Sequence, residues 1–430
     1  MTEARDAPVS YRAAWRSGEF RGLVVAQVTS EWGDHIARVA LASLVLARTD
    51  SAFLAVLAFV VSFVPAVFGA TLLGGLADRV SRKLVLLVCD LGRGLVIAVL
   101  GVLAVDGTPV WVLLAVLLVA EFFAAPFDAA QRAAVADVLP EPRTALAGMG
   151  LMRVLFQLDQ VIGIALAGLV IYAVGARLGL LIDAATFGVS FVVLLVTLRA
   201  RPVARESELP SSFLQDFRAG VHLVFDDPAL RALVLLAWGA ALFVIAPEAV
   251  ALAYARHEGM PAQIGAVLMA SVPAGAGLGA YLLARQAPMR QVGLLLPLAV
   301  LTCLPLLATC LAPPWWMTLG LFFASGLGQA FLLPLIATVG LLAPAGYRGR
   351  VNGLAGGGFS LASAGAFLLV GALADLMSPA VAVTAAGACG LALVGAAAHS
   401  WPRGAIARSA GRIYAPREAP TSYPGESGLL

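Results

Sequence analysis

The sequence has little charge for its length. Only 12% of its 430 residues are Asp, Glu, Lys or Arg, whereas 61% are apolar, and the mean hydropathy is +0.93. Soluble domains carry about 25% charged residues, so this apolar excess does not fit inside one core surrounded by water. Apolar runs of roughly 18 residues or more recur along the chain, which is the pattern of membrane-spanning helices. The composition therefore predicts a polytopic membrane protein.

Cysteine, histidine and phosphate-binding motifs are also scarce. The four cysteines lie inside apolar runs without a CxxC pair, so the sequence predicts neither a disulfide framework nor a metal site. The four histidines form no nucleophile–His–acid set, which argues against an enzyme. A Walker A motif is absent, which argues against an ATP-driven transporter. The formal net charge of +3 gives no indication of nucleic-acid binding.

The apolar runs divide into twelve candidate spans, which we number in chain order. Short turns with Gly, Pro or Asp separate many of them, such as VDGTP at 105–109 and LAPP at 311–314. The predicted spans cover residues 20–47, 52–76, 84–105, 110–133, 145–174, 177–198, 229–255, 261–284, 291–311, 315–342, 351–376 and 379–400.

The cationic residues are distributed unevenly between the loops. Alternate loops and the two termini carry 22 of the 28 Lys and Arg residues, whereas the opposite loops carry only Arg48, Arg177 and Arg256. Cytoplasmic loops of membrane proteins have an excess of Lys and Arg. The split therefore predicts an even number of spans with both termini in the cytoplasm.

The longest polar interruption lies midway along the chain. Phe213, Phe217, Val221, Val224 and Phe225 recur there at helical spacing, which predicts a helix at the cytoplasmic surface. Two six-helix halves joined by such a linker are typical of transporters whose halves rock around a central site. The predicted organisation is an all-α membrane protein with a six-helix half in 1–198, a linker in 199–228, a second six-helix half in 229–400 and a disordered cytoplasmic tail in 401–430.

A charged segment follows span 2. Residues 74–83 read GGLADRVSRK, and the segment contains Gly74, Asp78, Arg79, Arg82 and Lys83. It resembles the signature between spans 2 and 3 of the major facilitator superfamily, G-x-L-A-D-R-x-G-R-K/R, with a serine at position 81 in place of the usual glycine. Together with the twelve spans, the resemblance extends over about residues 20–400 and implies the major facilitator fold.

The residue types of this motif predict a gate. Gly74 allows two helices to approach closely, and Asp78 is suited to meet the positive N-terminal pole of a neighbouring helix, which in the family is span 11. The cations of the motif are expected to pair with acids at the cytoplasmic end of span 4, where Asp128 lies. These contacts would hold the halves together while the cytoplasmic side is closed. Ordinary anchoring of a basic loop is the alternative, but it accounts for neither Gly74 nor Asp78.

Further segments resemble one branch of this superfamily, the bacterial exporters related to the enterobactin exporter and the macrolide efflux pumps. The resemblance implies export of a small amphipathic molecule, without indicating which one. The segments are SEWGDHIARVALASLVLARTDSAFLAVLAF (30–59), CDLGRG (89–94), APFDAAQRAAVADVLP (125–140) and LIDAATFGVSFVV (181–193).

Span 1 carries a stripe of polar side chains. Gln27, Glu31, Asp34, His35 and Arg38 fall within an arc of about 100° on a helix. An ionisable group at mid-membrane costs at least about 2.5–3.5 kcal/mol, so the stripe is expected to face a cavity or partner helices. Either Asp34 or Glu31 carries a proton under the influence of Arg38, or Asp34 and Arg38 form a neutral pair that fixes span 1 against its neighbours.

Spans 3 and 4 add further ionisable groups. Asp90 and Arg93 stand three residues apart in span 3, which predicts a self-neutralising pair. Pro126 predicts a kink in span 4, and Glu121 is deep enough in this span to line a cavity.

Spans 5 and 7 carry the remaining polar and ionisable candidates for the cavity. Arg153 and Gln157 share a stripe on span 5. Glu248 follows Pro247 in span 7 and has no cation within a helical turn, so it is a candidate second proton site or a contact for a cationic substrate. The predicted cavity residues are Glu31, Asp34, Arg38, Glu121, Arg153, Gln157 and Glu248.

These observations predict a secondary active transporter, a proton-coupled exporter of a hydrophobic or amphipathic small molecule such as a drug, siderophore or natural product. The expected location is the bacterial inner membrane, and the expected energy source is the proton gradient, without a bound cofactor. The expected partners are the substrate and the lipid bilayer, and no nucleic acid. The alternatives are an uncoupled facilitator, an importer, or a membrane sensor or scaffold that transports nothing. The sequence leaves the oligomeric state open, a monomer included.

Overall fold

The apolar runs of the sequence are helical in the structure. The computed structural model describes residues 11–63, 80–201, 213–344 and 347–399, and no β-strand occurs in these ranges. Among the described residues, eight helices are long and apolar enough to cross a membrane, and shorter apolar helices lie at Ala52–Phe63 and Leu295–Leu311. The all-α class predicted from the sequence is confirmed.

The first half of the chain contains spans 1–6. Its longest helix contains two spans, because Gly175 interrupts it with a φ of +81°, a conformation that favours glycine. The helices are Tyr11–Arg16, Gly18–Thr49 (span 1), Ala52–Val60 with a 3₁₀ turn at Val61–Phe63 (the start of span 2), Arg82–Leu103 (span 3), Val110–Glu121 and Ala124–Val138 (span 4), and Pro142–Thr197 (spans 5 and 6).

The second half follows a helix at Phe213–Asp226, where the amphipathic spacing predicts one. Its helices are Pro228–His257 (span 7), Ala262–Ala284 (span 8), Pro288–Gly293, Leu295–Cys303 with a 3₁₀ helix at Leu304–Leu311 (span 9), Trp315–Gly328 with a 3₁₀ turn at Gln329–Phe331 and Leu332–Leu342 (span 10), Arg348–Leu376 (span 11) and Pro379–His399 (span 12).

Short polar side chains mark where several of these helices begin. The Ser17 Oγ accepts from the backbone N–H of Phe20 at 3.3 Å, and Asp227 caps the first turn of span 7 in the same way. Ser81, the residue that replaces glycine in the signature, accepts from the N–H of Leu84 at 3.4 Å and caps span 3. A capping side chain satisfies an N–H group that the helix leaves without a partner. The serine therefore starts the helix where the family usually has a turn glycine.

Small residues let the helices approach closely. A Cβ atom added to Gly326 in span 10 would clash with the carbonyl oxygen of Val272 in span 8. In the same way, a Cβ on Gly33 in span 1 would clash with Asp183 and Thr186 in span 6. Close backbone approach at small residues is the usual way in which helices associate in membranes. These glycines therefore set which face of each helix meets its neighbour.

We call the end of the molecule that carries most of the cationic loops the basic end, and the other the arginine-poor end. The two halves meet at the arginine-poor end, where span 2 packs against span 11 and span 5 against span 8. The rings of Phe59 and Phe367 stack across this seam at 5.4 Å between centroids, and Gly168 of span 5 lies against Ala266 of span 8. This packing closes one end of a cavity that lies between the halves.

Candidate functional site

A cavity of about 390 Å³ lies between the two halves, near the middle of the spans. Its wall combines ionisable groups with aromatic rings, which is the composition that an amphipathic ligand requires. The lining residues are Gln27, Ser30, Glu31, Asp34, Arg38, Phe59, Ser62, Phe63, Arg93, Glu121, Ala124, Phe127, Asp128, Phe156, Gln160, Ile245, Glu248 and Phe367.

Carboxylates outnumber cations in this wall. Five acids and two arginines line the cavity, which gives an excess of three negative charges when all the groups are ionised. Since isolated charges are costly at mid-membrane, an uncompensated acid there indicates a proton or a cation as its partner. The acids are Glu31, Asp34, Glu121, Asp128 and Glu248, and the arginines are Arg38 and Arg93.

Asp34 pairs with a different arginine from the one that the helix spacing indicates. Its Oδ1 lies 2.6 Å from an Nη of Arg93 in span 3, and both side chains are largely buried. Arg38 instead donates from Nε to the backbone carbonyl of Asp34 at 3.1 Å. The predicted Asp34–Arg38 pair is therefore wrong. The polar stripe of span 1 lines the cavity, and the long side chain of Arg93 reaches the carboxylate there from span 3.

The sequence predicts that Asp90 and Arg93 form a pair, but in the structure each of them bonds to a different partner. The Ser190 hydroxyl of span 6 donates to Asp90 Oδ2 at 2.6 Å. The Arg93 guanidinium lies 4.5 Å from the ring centroid of Phe187, a cation–π arrangement. Asp90 is thus held in the packing between spans 3 and 6, whereas Arg93 extends into the cavity.

Glu121 reaches the cavity because span 4 is broken beside it. The first helix of this span ends at Glu121 and the next begins at Ala124, as expected where Pro126 cannot donate to the turn before it. The hydroxyl of Ser62 in span 2 donates to Glu121 Oε1 at 2.7 Å. Glu121 therefore connects span 4 to span 2 at the cavity wall.

Glu248 is the acid that the C-terminal half contributes to the cavity wall. It follows Pro247 within span 7 and faces the cavity from the side opposite the span 1 stripe. Arg38 lines the same cavity, so the opposite charges of the two side chains attract each other across it. Protonation of Glu248, or binding of a cation beside it, thereby changes the attraction between the two halves.

The remaining predicted cavity residues lie on span 5. Arg153 and Gln157 are helical, but their side chains fall outside the described part of the structure. Gln160, on the same stripe, lines the cavity.

A second space of about 400 Å³ continues from the central cavity toward the basic end. It shares Glu31, Asp128 and Phe156 with the central cavity, and it adds the thioether side chains of Met149 and Met152. Methionine adapts its shape to varied apolar surfaces. The combined space is therefore suited to admit an amphipathic molecule from the basic end.

The gating motif is described only in part. Gly74, Asp78 and Arg79 lie outside the described residues. Arg82 forms an ion pair with Asp137 at the end of span 4 and donates to the carbonyl oxygen of Ala133 at 3.3 Å.

Lys83 of the same motif also has partners other than Asp128. It donates to the carbonyl oxygens of Leu195 and Leu198 at 2.8 and 2.6 Å, at the end of span 6. The expected pairing of Asp128 with Arg82 or Lys83 is therefore wrong. Asp128 lies more than two helical turns before Asp137, so it is deeper and faces the cavity.

Sequence reasoning missed several lining residues. The spacing predicts a local pair for Arg93, although an arginine at mid-span can equally find its partner on another helix. The five lining phenylalanines have no distinguishing signal among the 20 in the chain. Only helix packing selects the rings that face the cavity.

Comparison with known proteins identifies the class. The model of the Major Facilitator Superfamily matches residues 23–364. The chain therefore belongs to this superfamily, as the signature at 74–83 predicts.

One group of curated relatives consists of the multidrug efflux pump Tap of Mycobacterium tuberculosis and Mycobacterium bovis. The chain is 28% identical to it over 280 residues, which is 62% of this chain and 66% of the relative, just under two thirds of its length.

Solved transporter structures share the fold. The nucleoside transporter NupG superposes with a TM-score of 0.70 at 13% identity, covering 89% of this chain and 99% of that one. A peptide transporter POT in complex with sulfate gives 0.67 at 16% identity, covering 91% and 96%. A bacterial homologue of the human lysosomal transporter Spinster, in an inward-facing and unoccupied conformation, gives 0.64 at 15% identity, covering 92% and 95%.

Proposed function

We propose that this chain is a proton-coupled exporter of a hydrophobic or amphipathic small molecule, and that the substrate carries a positive charge. The observation that carries the proposal is the central cavity, in which aromatic rings surround an excess of carboxylates. The similarity to an efflux pump supports export. The excess of acids supports a cationic substrate, because an anion would add to the repulsion in a site of low dielectric constant.

The proposed orientation places the basic end in the cytoplasm. Cytoplasmic loops carry the excess of Lys and Arg in membrane proteins, and the second space opens the cavity toward this end. In a bacterial cell, the protein would lie in the inner membrane with both termini inside. The substrate would enter from the cytoplasm and leave at the arginine-poor end after the halves rock.

The proposed coupling uses Asp34 and Glu31 as proton carriers. A proton on Asp34 would weaken its ion pair with Arg93 and release that guanidinium, so the protonation state of span 1 is linked to its contact with span 3. Glu248 is the proposed contact for the cationic group of the substrate, since it faces span 1 across the cavity.

The test is protection of a pump-deficient bacterial host against a panel of antibiotics, dyes and siderophores, with and without a protonophore. The host carries the wild type, Asp34→Asn, Glu248→Gln or an empty vector. Asp106→Asn is the matched control, because this acid is fully exposed at the arginine-poor end.

Protection that requires Asp34 and disappears with the protonophore would support proton-coupled export. If Glu248→Gln loses protection against cationic compounds but keeps it against neutral ones, the charge assignment is supported. Protection that survives the protonophore would indicate a facilitator instead. Sensitisation of the host would indicate an importer, and no effect in the host or in reconstituted vesicles would indicate a sensor or scaffold.

A further inference from the structure

The pentapeptide that ends span 2 recurs at the end of span 11. Residues 74–78 read GGLAD and residues 371–375 read GALAD, so Gly371 and Asp375 have the spacing of Gly74 and Asp78. Spans 2 and 11 are antiparallel neighbours, because Phe53 lies against Gly371 while Phe59 lies against Phe367. The C-terminal end of span 11 therefore lies beside the N-terminal end of span 2.

Asp375 caps the N-terminus of span 2 from the opposite half of the protein. Its carboxylate accepts from the hydroxyl of Ser51 at 2.5 Å, from the N–H of Ala52 at 2.5 Å and from the N–H of Phe53 at 3.2 Å. The first N–H groups of a helix have no partner within the helix, and the positive pole there attracts a carboxylate. These three bonds join the halves at the arginine-poor end.

Gly371 sets the distance between the two helices. A Cβ atom at this position would lie 2.7 Å from a methyl carbon of Val56 and 3.1 Å from the Cα of Phe53. A larger residue would force span 11 away from span 2, which would draw Asp375 away from the N–H groups that it caps. Gly371 therefore allows the close approach that Asp375 needs to reach the start of span 2.

A second contact between the halves lies beside this one. An Nη of Arg256 at the end of span 7 is 2.6 Å from Asp50 Oδ1, and the other Nη donates to the carbonyl oxygen of Leu46 at 2.8 Å. Asp50 and Arg256 are largely exposed, and exposed ion pairs contribute little. The Asp375 carboxylate is exposed as well, but it accepts three hydrogen bonds at the start of one helix, so the two contacts together join the halves at this end.

We propose that GALAD is a second latch, reciprocal to GGLAD, which holds the arginine-poor end closed while the basic end is open. The motif resemblance implies that Asp78, which lies outside the described residues, meets the N-terminus of span 11, whereas the structure places Asp375 at the N-terminus of span 2. One helix pair then carries a latch at each end, and each latch engages only when its own end is closed. The inference rests on the proposed function only in requiring that the two ends open alternately.

The test measures how fast a cysteine placed behind the latch reacts with a maleimide. Val56→Cys is suitable, because Val56 is 1% exposed and lies in the seam with span 11. The purified full-length chain carries this change together with Cys310→Ser and Cys389→Ser, which remove the two exposed native thiols. The native Cys303 is fully buried and reports unfolding.

Asp375→Asn is expected to raise the labelling rate of this cysteine about tenfold or more, because hydrogen bonds to a charged group contribute enough free energy for such a change. Asp78→Asn is expected to lower the rate, and the double variant is expected to return toward the parent. Asp106 is an exposed acid at the same end, and its ion pair with Arg48 lies within the first half. Asp106→Asn should therefore leave the labelling rate unchanged. An Asp375→Asn rate equal to that of the parent, or a rise with Asp78→Asn, would overturn the proposal.

Labelling of Cys303 in the Asp375→Asn protein would mean that this variant has unfolded. In that case Asp375→Glu is measured instead, because it keeps the charge but displaces the carboxylate. The cysteine in this variant must also react faster than in the parent. The assay needs neither a substrate nor a proton gradient. A latch that fails here therefore leaves the transport proposal standing, and a failed transport assay leaves the latch standing.

Discussion

The two halves of the molecule bury polar groups in opposite ways. The first half buries ionisable side chains that bond to side chains of other helices, such as Asp34 to Arg93 and Asp90 to Ser190. The second half buries hydroxyls that bond to backbone carbonyls, such as Thr338 to Pro334 and Ser325 to Thr302. The second half contributes one ionisable residue to the cavity wall, Glu248, whereas the first half contributes six.

This difference indicates that the two halves have different roles in the proposed transport cycle. Charges that change partner or protonation state are costly to bury, and their energies depend strongly on the distance to the partner. A hydroxyl bonded to a carbonyl of its own helix, as Thr338 is to Pro334, is nearly insensitive to a movement of the next helix. The contrast predicts that the internal contacts of the first half respond to a proton, whereas the second half moves against it as a rigid body. Four predictions test this contrast, from the largest expected effect to the smallest.

Removing Arg93 should have the largest effect on stability. Arg93→Gln leaves Asp34 buried without its cation, which is expected to cost about 3–5 kcal/mol in the free energy of unfolding. Unfolding of the purified protein in detergent checks this. Asp34→Asn combined with Arg93→Gln should recover part of the loss, because no charge is then left unpaired. A single variant as stable as the wild type would contradict the assignment of this pair.

Asp34→Asn alone should cost less stability than Arg93→Gln, because other carboxylates line the same cavity as Arg93, but it should remove nearly all transport driven by a proton gradient. An amide cannot carry the proton, whereas it still accepts a hydrogen bond from Arg93. The measurement is substrate flux into vesicles across an imposed pH gradient, with the substrate found by the host screen. Gradient-driven flux that persists at the wild-type level would mean that Asp34 is a structural partner of Arg93 and nothing more.

Gly326→Ala should destabilise the second half through packing alone. The added methyl group meets the backbone oxygen of Val272, which cannot move without shifting span 8. The expected cost is about 1–3 kcal/mol, and the pH dependence of transport should not change. Gly320→Ala is the matched control on the same span, since nothing lies near the position of its Cβ. Equal stability of the two variants would refute the close packing of spans 8 and 10.

Thr338→Val should have the smallest effect. The Thr338 hydroxyl donates to the carbonyl oxygen of Pro334 at 2.6 Å within span 10, and valine fills the same volume without this bond. The expected cost in unfolding free energy is about 0.5–1.5 kcal/mol. A loss as large as that of Arg93→Gln would contradict the contrast between the halves.

The fold was predictable to a large extent. The lengths of the apolar runs, the turns between them and the signature at 74–83 all indicate twelve spans and the major facilitator fold, and the family match and the solved relatives confirm this fold. The break in span 4 was also expected, because the cause, Pro126, is local. Features of this kind depend on residues that are near one another in the chain.

The candidate site was predictable only in part. Helical periodicity placed Glu31, Asp34 and Arg38 on one stripe, and all three line the cavity. Periodicity could not choose between Arg38 and Arg93 as the partner of Asp34, because that choice depends on where span 3 lies relative to the polar stripe of span 1 in the folded protein. The expected partner of Arg82 failed for the same reason, since Asp128 and Asp137 lie at different depths along span 4.

The sequence by itself determined that this chain spans a membrane, that it belongs to a transporter family and that ionisable groups lie deep within its first half. Composition and periodicity decide these matters, because hydrophobic length and helical repeat are local properties of the chain. Only the tertiary structure decided the partners of those groups and the contact of Asp375 with the start of span 2. Such pairings form between residues as many as 324 positions apart, and their distances are set by the small residues at which the helices touch.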